Sequence, residues 1–239
     1  MRAMPILFAI LAATVSSAHA ANIDQLQNLS QDEFNRLSKD LTAGLSYKPI
    51  APAASLGVTG FDLGVALSGV RMRESDLWNK ATGTDLKYMP VPKLSFVKGL
   101  PFGIDIGGSY IKVPGSNISC WGGELKYAIL EGGALTPALA VRGAYTRLNG
   151  VDQLDFSTRS LDVSVSKGFI GLTPYIGIGE VWGSAKPNLP ASFPLHSVNQ
   201  TETKAFAGVN INLGIGNLAF EYDRTGGNDT LSTKLGIRW

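Results

Sequence analysis

Few residues in this chain are equipped for chemistry. The 239 residues include two histidines, and once an N-terminal leader carrying His19 is set aside, His196 stands alone beside Ser197 and close to Asn199. A Ser-His pair can activate the hydroxyl for ester hydrolysis by general-base transfer, the chemistry of a membrane-lipid hydrolase. Neighbouring residues on one loop seldom hold that geometry, so a solvated loop histidine is the plainer reading and no catalytic residue is assigned. Gly177-Ile178-Gly179 with Gly183 looks like a phosphate-cradling turn, yet it lies in a strand pattern with no helix behind it, which removes a dinucleotide reading. The single cysteine, Cys120, has no second thiol and no histidine cluster, so it makes neither a disulfide nor a metal site and reads as a small inward-facing residue. Asp223, Asn228 and Asp229 could hold a cation weakly, but turn chemistry accounts for them. No metal or cofactor is expected.

A second group of charged residues recurs on the polar side of alternating segments. Asp62, Asp105, Glu124, Asp162, Glu221 and Asp223 face Lys126, Arg142, Lys234 and Arg238 in mixed order. Such an order suits internal ion pairs that tie strands together better than it suits a single-sign selectivity ring, with a narrow water path along the same residues as the functional alternative.

The elements that must position these residues are strands. From Leu56 onward the hydrophobic period is two: Phe61, Leu63, Val65 and Leu67 alternate with Asp62, Gly64, Ala66 and Ser68, and Leu161, Val163 and Val165 with Ser160, Asp162, Ser164 and Ser166. Ten such segments can be marked, with eight or twelve also compatible. Pro90 and Pro92 cannot donate to a ladder, so within residues 87–98 only Lys93 to Val97 is secure. Glu180 falls on the same side as Ile176, Ile178 and Trp182.

The N-terminal part differs. Arg2, an apolar run from Ile6 to Val15 and Ala18-His19-Ala20 make residues 1–20 a secretory signal. Residues 21–55 then hold one helix and a linker. Ser30 and Glu33 have capping-box spacing, Leu29 and Phe34 staple spacing, Phe34, Leu37 and Leu41 form a narrow stripe, and Gly44 is a natural stop. This helix within residues 22–45 is expected to pack on its own domain, with a lumen plug, a periplasmic cap or a partner-binding helix as alternatives. Residues 45–55, with Pro49 and Pro52, read as a linker, and 56–239 as a barrel.

Which face of the strands is wet follows from composition. Charged residues make up 17% of the chain and glycine contributes 28 residues, while 21 basic against 19 acidic side chains offer no field for nucleic acid. Disorder, a disulfide scaffold and a polytopic helical membrane protein are excluded as well. The polar face is mostly Gly, Ala, Ser and Asn, which suits a crowded interior. Connections 73–86 and 185–200 are long and 99–101 and 214–217 tight, with 114–117 an exception. Phe61, Phe96, Phe102, Tyr127, Phe220 and Trp239 gather towards one rim, and Tyr110, Trp121, Tyr145 and Trp182 towards the other, as aromatic girdles do. The expectation is an all-β, closed antiparallel transmembrane barrel, with a soluble lipocalin-like barrel as the alternative.

The ending Leu235-Gly236-Ile237-Arg238-Trp239 resembles the C-terminal strand of Gram-negative outer-membrane β-barrels, with Trp in place of the usual final Phe. Tyr47 to Val65, including Leu56-Gly57-Val58-Thr59-Gly60-Phe61-Asp62, resembles the start of an uncharacterised proteobacterial barrel family. The resemblance implies an outer-membrane location, membrane lipid as surroundings, and Leu235, Ile237 and Trp239 as a signal for the barrel-assembly machinery. The expected function is a narrow passive pore for small solutes, against a structural or surface-interaction barrel presenting the loops at 73–86 and 185–200.

Overall fold

A computed structural model describes residues 22–133 and 135–239; the secretory signal expected at 1–20 lies outside the described residues. Ten antiparallel strands close on themselves: β1 (Phe61–Arg71), β2 (Tyr88–Gly99), β3 (Ile104–Lys112), β4 (Ser119–Glu131), β5 (Ala138–Asn149), β6 (Leu154–Ser166), β7 (Leu172–Pro187), β8 (Val198–Leu213), β9 (Gly216–Thr225) and β10 (Asn228–Arg238). Each strand pairs with its sequence neighbour, and β1 meets β10 in the register Leu63↔Ile237 to Val70↔Thr230. Closure leaves no unpaired edge, the condition for strands to cross hydrocarbon. Ten residues rising about 3.3 Å each and tilted about 40° span roughly 25 Å, the height of an apolar band.

The period-two pattern sorts by chemistry as alternation requires, with polar groups inward. Leu63 is 43% exposed, Ile106 51% and Ile178 68%, while Asp162 is 2% exposed. This is the inverse of a soluble barrel. No helix among the described residues is long and apolar enough to cross a membrane.

Several boundaries move. β2 begins at Tyr88 and includes both prolines, opposite Gly69 and Leu67 of β1. They are tolerated because the β2–β3 ladder starts only at Lys93↔Ile111, so the missing N–H groups lie at an unpaired margin. The expected connection 73–86 contains a helix, α2 (Ser75–Thr82), which ends at Gly83 in the left-handed conformation (φ 74°). The connection 185–200 shrinks, because β7 runs to Pro187 and β8 begins at Val198. At that rim only the β1–β2 and β7–β8 connections are long, and β9 passes to β10 through Gly226 and Gly227 alone. Length asymmetry is therefore weaker than the sequence suggested, and the mouth is closed by other means.

The other means is the N-terminal segment. The helix α1 (Gln31–Leu45) has its capping box: Glu33 N donates to Ser30 Oγ at 3.3 Å, and Ser30 N to Glu33 Oε2 at 2.9 Å. It starts later than residue 22 and runs through Gly44, contrary to the expected stop there. Gly44 is instead a packing position, where a Cβ would sit 3.2 Å from Met72 Cε. The helix lies inside the barrel at the long-connection end and does not cap it from the short-turn end. Its contacts explain why: Phe34, Leu37, Leu41 and Leu45 find inward apolar partners only there, in Val70, Met72, Met89, Val91, Ile111 and Phe156, with Trp78 and Leu77 of α2 closing over them. The mouth is thus packed like a soluble core on an otherwise polar lumen. Cys120 faces inward into this cluster.

Candidate functional site: the filled lumen

Beyond α1 the chain runs extended along the axis to β1, through the segment that reads as a linker. Extended backbone inside a barrel has no ladder of its own, so its carbonyls and amides must find partners on the wall. Lys204 Nζ donates to Tyr47 O at 3.0 Å, Lys93 Nζ to Lys48 O, Thr146 Oγ1 to Leu45 O at 2.9 Å, and Lys126 Nζ to Ala54 O at 2.8 Å. In the other direction Ala53 N donates to Ser166 Oγ at 3.1 Å and Leu56 N to Asp105 Oδ1 at 3.1 Å. Lys48 Nζ reaches outward from the segment to Asp223 Oδ1 at 3.2 Å.

The sequence-singled charges occupy the inner face in the same network. Lys126 pairs with Asp105 at 2.8 Å, and Arg142 lies 3.0 Å from Glu124 and 3.6 Å from Asp162. Asp62 receives Lys234 at 2.8 Å and Arg238 at 3.4 Å. Glu221 accepts from Tyr175 OH at 3.0 Å. The structure therefore brings these ten residues together as wall-to-wall and wall-to-plug pairs. Asp105, Lys126 and Asp223 do both.

Inner-face glycines mark where the plug touches the wall. A Cβ on Gly183 of β7 would collide with Thr42 of α1, and one on Gly122 of β4 would stand 3.1 Å from Tyr47 Cδ2. Near the mouth Asp40, fully buried, accepts from Arg73 N at 3.1 Å, Glu74 N at 3.0 Å, Trp78 Nε1 at 3.2 Å and Asn228 Nδ2 at 2.9 Å. Arg36 pairs with Glu74 at 2.9 Å, and Lys80 with Glu33. One carboxylate thus holds α1, α2 and the β9–β10 turn.

Sequence reasoning did not include Lys93, Lys204, Lys48 or Asp40 among the site residues. Lys93 could have been found, since Leu94 and Phe96 define the opposite face, and Lys204 by extending the β8 alternation upstream from Ala207. Asp40 carried no signal, because its partners lie 33 to 188 residues away.

The remaining chemical candidates disperse. His196 sits at the rim, where its backbone N donates to Gln31 Oε1 at 2.7 Å, a latch between loop and helix. No group of three or more His, Cys, Asp or Glu side chains among the described residues could hold a metal. Asp229 accepts from Tyr222 OH at 2.7 Å, while Asn228 is committed to Asp40. Leu235, Ile237 and Trp239 lie on the closing strand, where Trp239 N donates to Phe61 O at 2.9 Å and Phe61 N to Trp239 O at 3.0 Å. Apolar outside, charged inside, filled from mouth to rim: the chain is a plugged β-barrel of the membrane type.

No family model and no curated protein matches the plugged barrel. Among solved structures it is similar to the N-terminal β-barrel domain of Pseudomonas aeruginosa OprF, at 14% identity over 77% of this chain and 99% of that one, with a TM-score of 0.38. A second is the KdgM porin, at 8% identity over 74% and 99%, TM-score 0.39. A third is Ail of Yersinia pestis, solved with the heparin analogue sucrose octasulfate, at 13% identity over 75% and 97%, TM-score 0.32. Likeness at this level is one of barrel architecture only.

Proposed function

We propose that the plugged barrel is a non-enzymatic outer-membrane protein that works closed, as a structural or surface-interaction barrel presenting the mouth built from α1, α2 and residues 188–197. One observation carries this reading: the lumen is occupied along its length by α1 and the extended segment after it, whose backbone is clamped by wall lysines. An aqueous path needs continuous unoccupied polar space, and here most of the lumen's polar groups are engaged with the plug or with one another. The outward apolar face and two aromatic rims suit surrounding lipid. The final strand, with Leu235, Ile237 and Trp239, is the segment offered to the barrel-assembly machinery.

A second reading, the narrow passive pore, is favoured by a specific feature. The Ser160 and Ser164 hydroxyls and one Glu221 carboxylate oxygen are buried without a hydrogen-bond partner among the described residues. With the plug displaced, these groups would line a polar channel beside Arg142 and Asp162.

Single-channel recording in planar bilayers separates the two. A silent full-length protein, together with conductance steps in a heat-modifiable, correctly folded variant lacking residues 22–55, supports the closed barrel. Steady conductance from the full-length chain would establish the pore instead. Fractionation of cells with heat-dependent gel mobility tests the outer-membrane location, and absence of lipid-ester hydrolysis tests the non-enzymatic part.

A further inference from the structure

The outer wall is not uniformly filled. Across β3 to β6 it carries a groove of about 550 Å³, lined by Ile106, Leu125, Trp121, Tyr145 and Arg159 around Gly123 and Gly143. That volume falls within the range of small-molecule sites, about 300–1,000 Å³. The groove exists because outward positions lack side chains exactly opposite bulky ones: Gly123 is in register with Tyr145, and Gly143 with Leu125 and Leu161. A Cβ on Gly143 would meet nothing within 4 Å, so the space is real and faces outward. The Trp121 and Tyr145 rings, 5.5 Å apart and tilted by 56°, wall its upper side.

Charge adds what an apolar hollow alone would lack. Arg159 stands in register with Tyr145, and Arg147 with Trp121, both exposed on the outer face at the aromatic row where hydrocarbon gives way to headgroups. Neither forms an ion pair with an acidic side chain among the described residues. Glu180, on the same face and in register with Leu161, is the nearest outward carboxylate across the ladder and is not paired with Arg159. An apolar trough with the Arg159 guanidinium in its lining and that of Arg147 beside its Trp121 wall is complementary to one kind of occupant, a chain of methylenes joined to a phosphate.

We infer that this groove seats one acyl chain of an anionic phospholipid-type molecule, with its phosphate held by Arg147 and Arg159. The inference rests on the membrane placement proposed above and adds a specific lipid to it. Arg presents a planar fork of donors that matches phosphate oxygens, which a Lys would not do as well.

The full chain, reconstituted in nanodiscs of mixed phosphatidylglycerol and phosphatidylcholine, would retain phosphatidylglycerol preferentially when released and weighed by native mass spectrometry. Arg147→Gln and Arg159→Gln should each reduce that preference about fivefold. Gly143→Leu, which fills the trough without a backbone clash, should abolish tight retention while heat-modifiable mobility shows the barrel intact. Equal retention of both lipids, or retention unchanged in folded Gly143→Leu, would overturn the site and leave the membrane placement standing. A protein that takes up no lipid and stays soluble without detergent would overturn the placement itself.

Discussion

At the scale of single residues, the buried charges matter through what they leave behind when removed. Asp40 satisfies four donors from three separate segments in a site sealed by apolar side chains. Replacing it by Ala strands those donors, and each unmade buried hydrogen bond costs about 1–3 kcal/mol. We expect Asp40→Ala to lower the temperature at which the folded band is lost in heat-modifiability gels by many degrees, with Asn228→Ala causing a smaller loss. Acid acts at the rim. The Lys80 ammonium, followed by the Ser30 backbone amide, holds the Glu33 carboxyl down at about 2, from an ordinary 4.5. A depressed carboxyl stabilises the fold above its unfolded value and loses that contribution as pH falls between about 4.5 and 2. Because Lys80 is half exposed, solvent screening keeps the effect small. Hydrogen exchange of residues 30–36 and 75–82 should therefore quicken across that window, and Glu33→Gln should remove that pH dependence.

Among elements, α1 is the piece whose position decides what the barrel can do. It touches β7 and β8 most, and the contact is close because Gly183 has no side chain where Thr42 arrives. Gly183→Leu should push α1 off the wall without disturbing strand pairing, since the side chain would project into the lumen. The expected readout is a folded barrel with lowered thermal resistance and faster exchange over residues 38–45; unchanged exchange there would remove the wall contact as the helix's anchor. Most strands were legible in the sequence to within a few residues, because alternation is a property of each segment alone, though β6 and β8 begin well upstream of the alternation marked from Ser160 and Ala207. The capping box at Ser30 was legible for the same reason. The start of β2 was not, since whether a proline is tolerated depends on where the neighbouring ladder begins. The helix α2 was signalled by Leu77, Trp78 and Ala81 ahead of Gly83, a pattern hidden inside a connection that seemed featureless.

For the whole molecule, the plug sets a direction. The N-terminal segment enters at the long-connection mouth, where Ile23 N donates to Asn117 Oδ1 at 3.0 Å and Leu26 N to Gln153 Oε1 at 3.0 Å, and it leaves at the opposite rim to begin β1. The two ends of the plug thus lie on opposite sides of the apolar band. An epitope placed ahead of Asn22 should be labelled on intact cells, whereas one placed after Trp239 should require permeabilised cells. Labelling of both, or of neither, would contradict the threaded path.

What the sequence determined by itself was the strand periodicity and the sorting of greasy and polar faces, because each follows from residues a few positions apart; it offered ten strands with eight or twelve also compatible, and closure of β1 on β10 fixed ten. Tertiary structure alone decided that the linker is a clamped core strap, that wall lysines donate to its carbonyls, and that the mouth is packed with apolar side chains. Those outcomes depend on partners brought together across 45 to 188 residues, as in Lys93 with Lys48 and Asn228 with Asp40. No local pattern encodes such meetings; they arise because buried backbone in a barrel must be satisfied by whatever wall side chain closure places beside it.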